Sequence, residues 1–291
     1  MPYSLPKRWL IVCVVLLSLL GSVLVGETLL RSVNPTHPVL TVSFLHIGQG
    51  DAILIQTPNG KKILVDGGPD RSVLRELSRK LWPWDRHIDV LIETHPDKDH
   101  ITGLGYVLER YTVDYFLESG IPDQTATSLH VKDDVLKEKG IQHMIIKRGT
   151  RLDFGDGAYA DVLFPNTDQS TQAVTNDGSI VLHVVYGKTS FMLTADLPSP
   201  YEDQLVTLDG NSLHSDVLKA GHHGSRYSTD SIWLYAVSPR FVVISAGKGN
   251  SYGHPHKEVL ERVEKQGAEL LSTIDSGTIT FESDGVSVSR K

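Results

Sequence analysis

Four side chains able to hold a metal ion fall within six residues of the stretch Thr94-His95-Pro96-Asp97-Lys98-Asp99-His100. The stretch directly follows the apolar run Val90-Leu91-Ile92. His95 and Asp97 alternate and can point to one side of an extended chain, whereas the adjacent Asp99 and His100 can reach to another. One short segment could therefore feed two ions. A polar turn with capping carboxylates uses the same residue types, but it has no need of ligands packed this densely. A second segment, Ala220-Gly221-His222-His223-Gly224-Ser225-Arg226, follows the strand-like Val217-Leu218-Lys219. Its glycines let backbone approach a ligand closely, although a histidine pair alone is more often a solvated loop. The third signal is Asp196, at the end of the apolar run Phe191-Met192-Leu193-Thr194. Alone, with Leu197-Pro198 after it, Asp196 reads as a helix cap.

The elements that must position these groups alternate along the chain. Strands are expected over residues 40–45, 52–56, 62–65 and 89–93, with turns at Gly48-Gln49-Gly50 and Asn59-Gly60. Helical periodicity follows over 71–81, 103–111 and 128–139, the last closed by Gly140. A second strand group is expected over 143–146, 160–164, 180–186 and 191–194. Then come strands at 217–219 and 241–244, helices at 231–236 and 257–266, and short strands near Leu270, Ile279 and Val286. Two groups of strands with helices between them fit two sheets packed face to face with helices outside, an αββα sandwich. No repeat, low-complexity tract or second linker interrupts residues 40–291.

The chain has 291 residues, 40% of them apolar and 22% charged, the composition of a globular fold with a sizeable core. Its single cysteine, Cys13, rules out an intrachain disulfide and a multi-thiolate metal site, so any metal must be held by His, Asp, Glu or Asn. Residues 9–26 carry no charge, and Lys7 and Arg8 precede them. That length spans a bilayer, with a cytoplasmic N-terminus set by the basic pair. The expectation is a membrane anchor over 1–26, a tether over 27–39 and a catalytic domain outside the cytoplasm. A cleaved signal peptide and a secreted product form the alternative. Without the first 26 residues, 26 basic side chains face 35 acidic ones, a net charge of −9. That balance shows no general basic grip on nucleic acid.

Taken together, the motifs resemble the metallo-β-lactamase superfamily, and within it the soluble domain of the ComEC/Rec2 competence proteins. The residues that carry the resemblance are Gly48-Gln49-Gly50-Asp51-Ala52, Val65-Asp66-Gly67-Gly68-Pro69, the stretch His95 to His100, Asn176-Asp177-Gly178-Ser179, Thr194-Ala195-Asp196, His222-His223-Gly224-Ser225 and Tyr252-Gly253-His254-Pro255. They occur in family order and cover nearly everything after residue 40. The resemblance implies one metal on His95 and Asp97, and another on Asp99, His100 and one of His222 and His223, with Asp196 bridging. Asp66 would orient the loop from behind the ligands, and Asp99 would serve the chemistry directly. Ser225, Arg226 and His254 would face the substrate, His254 as a phosphate contact or proton donor. Asp97 stands where many members have a second histidine, and Asn176 where many have a third-ligand histidine; both belong to the competence-protein pattern. His183, mid-strand among Val181, Val185 and Tyr186, reads as a packed core histidine.

Three carboxylates (Asp97, Asp99, Asp196) against two divalent cations leave one net positive charge, which lets an anionic phosphodiester approach. The oxygen-rich ligand set suits Mn2+ better than an imidazole-rich one does, with Zn2+ the other choice. The expected activity is a metal-dependent phosphodiesterase, a nuclease acting on DNA during uptake beside a membrane channel partner. The DNA substrate comes from the resemblance alone. Two other readings stand beside it: a phosphodiesterase on cell-envelope or small-molecule substrates, and a non-catalytic metal-binding module of a translocation complex. Lys98, Arg226 and Lys248 are the basic residues nearest the motifs.

Overall fold

Ile53, Leu54 and Ile55 are consecutive and all buried, yet they serve two different cores. Successive side chains of a strand point to opposite faces. Ile53 and Ile55 enter a cluster between two sheets, with Val42, Phe44 and Val65 on one side and Leu182, Phe191, Val217 and Val243 on the other. Leu54 joins Leu64, Leu91 and Phe116 in a second cluster against helices. A strand buried on both faces reads as a continuous apolar run, which is how these strands appear in the sequence.

A computed structural model of the chain describes residues 38–122, 124–138 and 140–291. Among these, the first sheet has eight strands in the order β15-β14-β1-β2-β3-β4-β5-β6. They are β1 (Leu40–Phe44), β2 (Ile53–Gln56), β3 (Lys62–Val65), β4 (His87–Glu93), β5 (Thr112–Glu118), β6 (Gln142–Ile145), β14 (Ile279–Ser283) and β15 (Val288–Arg290). The second has seven, in the order β13-β12-β11-β10-β9-β8-β7. These are β7 (Arg151–Gly155), β8 (Ala158–Phe164), β9 (Val181–Tyr186), β10 (Thr189–Leu193), β11 (Val217–Lys219), β12 (Phe241–Ile244) and β13 (Glu269–Ser272). Helices α1 (Ser72–Lys80), α2 (Lys98–Leu108) and α3 (Ala126–Lys137) cover the outer face of the first sheet through Leu77, Leu104 and Val131. On the second, α4 (Ser199–Asp209), α5 (Ser231–Val237) and α6 (Lys257–Gln266) do the same through Leu205, Trp233 and Val263. A one-turn helix, α7 (Thr273–Ser276), links back to the first sheet. The arrangement is the expected αββα sandwich.

β3, β4, β5 and β6 pair in parallel, as do β10, β11, β12 and β13. Their carboxyl ends carry the segments with Asp66, His95–His100, Asp196, His222-His223 and His254, where open α/β sheets present ligand sites. The helix expected over 103–111 instead starts at Lys98, so Asp99 and His100 lie in its first turn rather than in a free loop. Apolar periodicity begins only at Ile101, which hid the start of the helix. Strands β5 and β7 are not among the expected elements, and helix α4 is implied only by the cap reading of Asp196. Among the described residues no helix is long and apolar enough to cross a membrane. The expected span over 9–26 lies outside the described residues.

Candidate metal centre

Asp66 directly follows β3, and its carboxylate ties two ligand-bearing elements together. It accepts from Thr94 N (2.9 Å), from the Thr94 hydroxyl (2.7 Å) and from His100 Nδ1 (2.7 Å). Because the Thr94 hydroxyl donates to Asp66, its oxygen is left to accept from His95 Nδ1 at 3.0 Å. His223 Nδ1 lies 3.0 Å from the Ser245 carbonyl, which can only accept. All three imidazoles therefore donate through Nδ1 and turn Nε2 to the interior.

Those nitrogens converge. His100 Nε2 and His223 Nε2 are 3.3 Å apart. Asp196 Oδ2 stands 3.4 Å from His100 Nε2, 3.3 Å from His223 Nε2 and 3.6 Å from His222 Nε2. Asp99 Oδ2 adds a further oxygen 3.4 Å from His223 Nε2. His95 Nε2, Asn176 Oδ1 and Asp196 Oδ1 are buried without a hydrogen-bond partner. Unpaired acceptors of this kind are costly when buried, and lone pairs crowded together repel. A cation relieves both problems, so the donor set fits metal ions.

The electrostatics make the same demand. Burial opposes charge on His223, yet Asp196 and Asp51 overcome it and push the imidazole up to about 10. His100 is raised well above its ordinary value, again against burial, by Asp196 and Asp66. Burial would raise Asp196 and Asp99 as well, but the surrounding imidazoles hold both carboxyls well below the usual range. His95, in contrast, is pulled down to about 3, chiefly by burial and by His100. The cluster is thus rich in carboxylate charge and short of cations.

The residues fall into two groups around Asp196. Asp99, His100 and His223 gather on one side. On the other, Asp97 Oδ2 lies 3.7 Å from His95 Nε2, and Asn176 Nδ2 lies 3.4 Å from His222 Nδ1. Asn176 sits in a 3-10 turn, Thr175–Gly178, docked where Ile180 N donates to Thr94 O. His222 and His223 both adopt left-handed backbone (φ 48° and 56°), which turns adjacent rings toward the same carboxylate. His223 is fully buried, while His222 is partly exposed. Gly50 has φ +128°, and a Cβ there would stand 1.9 Å from Asp99 O, so only glycine lets the β1–β2 turn close against α2.

Several sequence expectations need correction or placement. Asp196 is not a cap: Pro198 occupies the N-cap of α4 and makes no side-chain cap bond, leaving the Asp196 carboxylate to the imidazoles. His183 lies mid-β9 outside the cluster, and its Nε2 lacks a partner, so it is only half satisfied as a core residue. The Ser225 hydroxyl is buried and accepts from Tyr227 N (3.4 Å), while the Ser225 backbone N–H donates to His222 O (2.8 Å); Arg226 pairs with Glu258 (3.3 Å). His254 does lie beside it, with ring centroids 5.3 Å from His222 and 6.3 Å from His223. Sequence reasoning gave no role to Asp51 or Lys219. Both are buried in the cluster, with Lys219 Nζ 2.5 Å from Asp51 Oδ2. The signal for Lys219 was its place on the inward face of β11, two residues after the core residue Val217.

A model of the metallo-β-lactamase superfamily matches residues 47–248. The chain belongs to that superfamily, and it carries the candidate metal site described above. Among its curated relatives are ComE operon protein 3 of Bacillus subtilis (strain 168), 31% identical over 261 residues, and competence protein ComA of Neisseria gonorrhoeae, 30% identical over 235 residues. The matches cover 82% and 80% of this chain but 32% and 31% of the relatives, so the chain spans about a third of their length. The resemblance to the ComEC/Rec2 competence proteins therefore holds. A solved structure of Igni18, a metallo hydrolase from Ignicoccus hospitalis, shares the fold at 18% identity, with a TM-score of 0.52 over 83% of this chain and 98% of that one.

Proposed function

We propose that the chain is a dinuclear metal-dependent phosphodiesterase that cleaves DNA outside the cytoplasm during DNA uptake, anchored by residues 9–26 beside a membrane channel partner. The observation that carries the catalytic part is the convergence of His100 Nε2 and His223 Nε2, 3.3 Å apart, on Asp196 Oδ2. His95, Asp97 and Asn176 would hold one cation, Asp99, His100 and His223 the other, with Asp196 shared. Two divalent cations there, of the Mn2+ or Zn2+ type, supply Lewis acidity toward a phosphodiester and bring the pKa of water toward neutrality.

The protein's own groups do the rest. Asp66, Thr94 and the Ser245 carbonyl fix the imidazole tautomers, so Nε2 is the atom offered to the ions. His254 is pulled down to about 4, first by burial and then by His222 and His223. A ring that is neutral at pH 7 suits a hydrogen bond to a phosphoryl oxygen better than donation from an imidazolium, which favours the phosphate-contact role. Tyr252 is exposed and stacks on His254 (centroids 5.7 Å, 25° between planes). Exposed aromatic faces of this kind carry unpaired bases in single-strand binders. Lys98 and Lys248 are exposed after the carboxyl ends of β4 and β12, placed to meet further phosphates of a chain.

The net charge of −9 beyond the apolar segment favours a second reading, a diesterase on small or cell-envelope substrates. Turnover of single-stranded DNA, double-stranded DNA and a small diester, compared in Mn2+ and Zn2+, separates the two. Cleavage of DNA supports the nuclease. Turnover confined to the small diester favours the second reading, and no turnover of any substrate rejects both.

A further inference from the structure

Lys219 is a buried cation to which the proposed function gives no task. It ends β11 with its side chain turned between the sheets, fully buried. Its Nζ donates to Ala195 O (2.8 Å) and to Asp51 Oδ2 (2.5 Å), and it lies 3.6 Å from Asp196 Oδ1. The two oxygens of Asp196 are thus divided. Oδ1 faces the ammonium without a hydrogen bond, and Oδ2 faces three imidazole nitrogens at 3.3–3.6 Å. Ala195, whose carbonyl Lys219 holds, has φ 47° and also accepts from His222 N (3.0 Å). One ammonium therefore grips the turn that aims Asp196 and, through it, the turn that carries His222.

Asp51 has the second half of the arrangement. Its Oδ1 lies 3.6 Å from His223 Nδ1, and its backbone N–H donates to Asp99 O at 3.3 Å. Asp51, His100, Asp196 and His223 bring ligand atoms within 4.8 Å of one another, a set that could itself enclose one ion. Lys219 sits against Asp51 in that set and occupies its carboxylate.

We infer that Lys219 and Asp51 form a positioning pair for the metal centre. The ammonium keeps Asp196 Oδ2 turned to the imidazoles and keeps Asp51 out of the ligand set, so the ions are confined to the two groups that contain Asp97 and Asp99. This rests on the metal-centre reading proposed above. The competing account is a plain structural ion pair, whose removal affects folding alone. A buried pair replaced as a whole by apolar residues leaves no orphan charge and often keeps stability, which separates the two accounts.

The test uses the full chain, stripped of metal and titrated with Mn2+ by calorimetry and electron paramagnetic resonance. Wild type should bind two Mn2+ per chain and give the spectrum of a spin-coupled pair. Lys219→Met should bind one of the two at least tenfold more weakly and lose the coupled spectrum, in line with the 10–100-fold effects of residues that orient ligands. The double variant Asp51→Leu with Lys219→Met should regain a wild-type melting transition and keep the metal defect; it decides alone if Lys219→Met does not fold. Wild-type affinity and coupling in a folded variant would overturn the inference while leaving the metal centre standing. Absence of a coupled pair in wild type would overturn both.

Discussion

Gly103 sits mid-way along α2, three residues after His100, where glycine costs a helix about 1 kcal/mol relative to alanine. On helix propensity alone, Gly103→Ala stabilises the protein. The packing gives the opposite sign. A Cβ at residue 103 would lie 1.8 Å from Gly67 O and 2.5 Å from Gly67 C. Carbon contacts are comfortable at about 3.5 Å, so the helix or the Asp66-Gly67-Gly68 turn must shift by roughly 1.5 Å. No rotamer can relieve this, because both partners are backbone. They are also tied together, by Gly67 N donating to His100 O (2.7 Å) and Gly103 N donating to Gly68 O (2.9 Å). Overpacking costs about 1–3 kcal/mol, and a backbone clash belongs at the upper end. After the propensity gain, the net loss is about 2 kcal/mol. For a domain of this size each kcal/mol lowers the melting temperature by about 2–4 °C, giving a fall of about 4–8 °C. The shift also parts Asp66 from His100, so Mn2+ binding should weaken in the same variant. Thermal melts followed by circular dichroism, with a Mn2+ titration beside them, measure both. A variant as stable as wild type would refute the reasoning.

Asp66→Asn should leave the fold intact and weaken Mn2+ binding by about 10–100-fold, because an amide cannot accept all three donors from Thr94 and His100; unchanged calorimetric affinity counts against that role. Burial pushes Glu202 from 4.5 up to about 8, despite hydrogen bonds from Thr229 N and Asp230 N. Its folded value lies above the unfolded one, so its contribution to stability is complete below about pH 4.5 and is lost as pH rises through about 8. Wild type should therefore lose a few kcal/mol across that window, at about 1.4 kcal/mol per unit, and Glu202→Gln should show a flatter profile; parallel melting curves would contradict this. His183→Ala should keep most of its diester turnover and lose at most a few kcal/mol of stability. A folded but inactive His183→Ala would place that histidine in the site.

The sandwich was legible because strands buried on both faces leave apolar runs and helices leave a 3.6-residue period. Both patterns failed where chemistry replaced packing. The first turn of α2 holds Lys98, Asp99 and His100 in place of an apolar stripe, so its start was read five residues late. Of the candidate ligands, His95, Asp97, Asp99 and His100 announced themselves by density within one segment. Asp196 did not, because a lone aspartate after a strand and before Leu-Pro has the signature of a cap; only the fold brings three imidazoles to its Oδ2. The choice between His222 and His223 was open in the sequence for a similar reason. Their left-handed backbone sends His223 into the buried group with Asp99 and leaves His222 near Asn176. Lys219 and Asp51 escaped notice because their pairing spans 168 positions of chain, and the strand alternation that turns Lys219 inward with Val217 does not by itself name a partner.

The central claim is a pair of cations on either side of Asp196. Anomalous diffraction from crystals soaked in Mn2+ tests it most directly. The account predicts two strong peaks, one touched by His95, Asp97 and Asn176, the other by Asp99, His100 and His223, with Asp196 reaching both. A single peak, or manganese found instead on the partly exposed His87, Asp89 and Asp114 at the far end of β4, would contradict it.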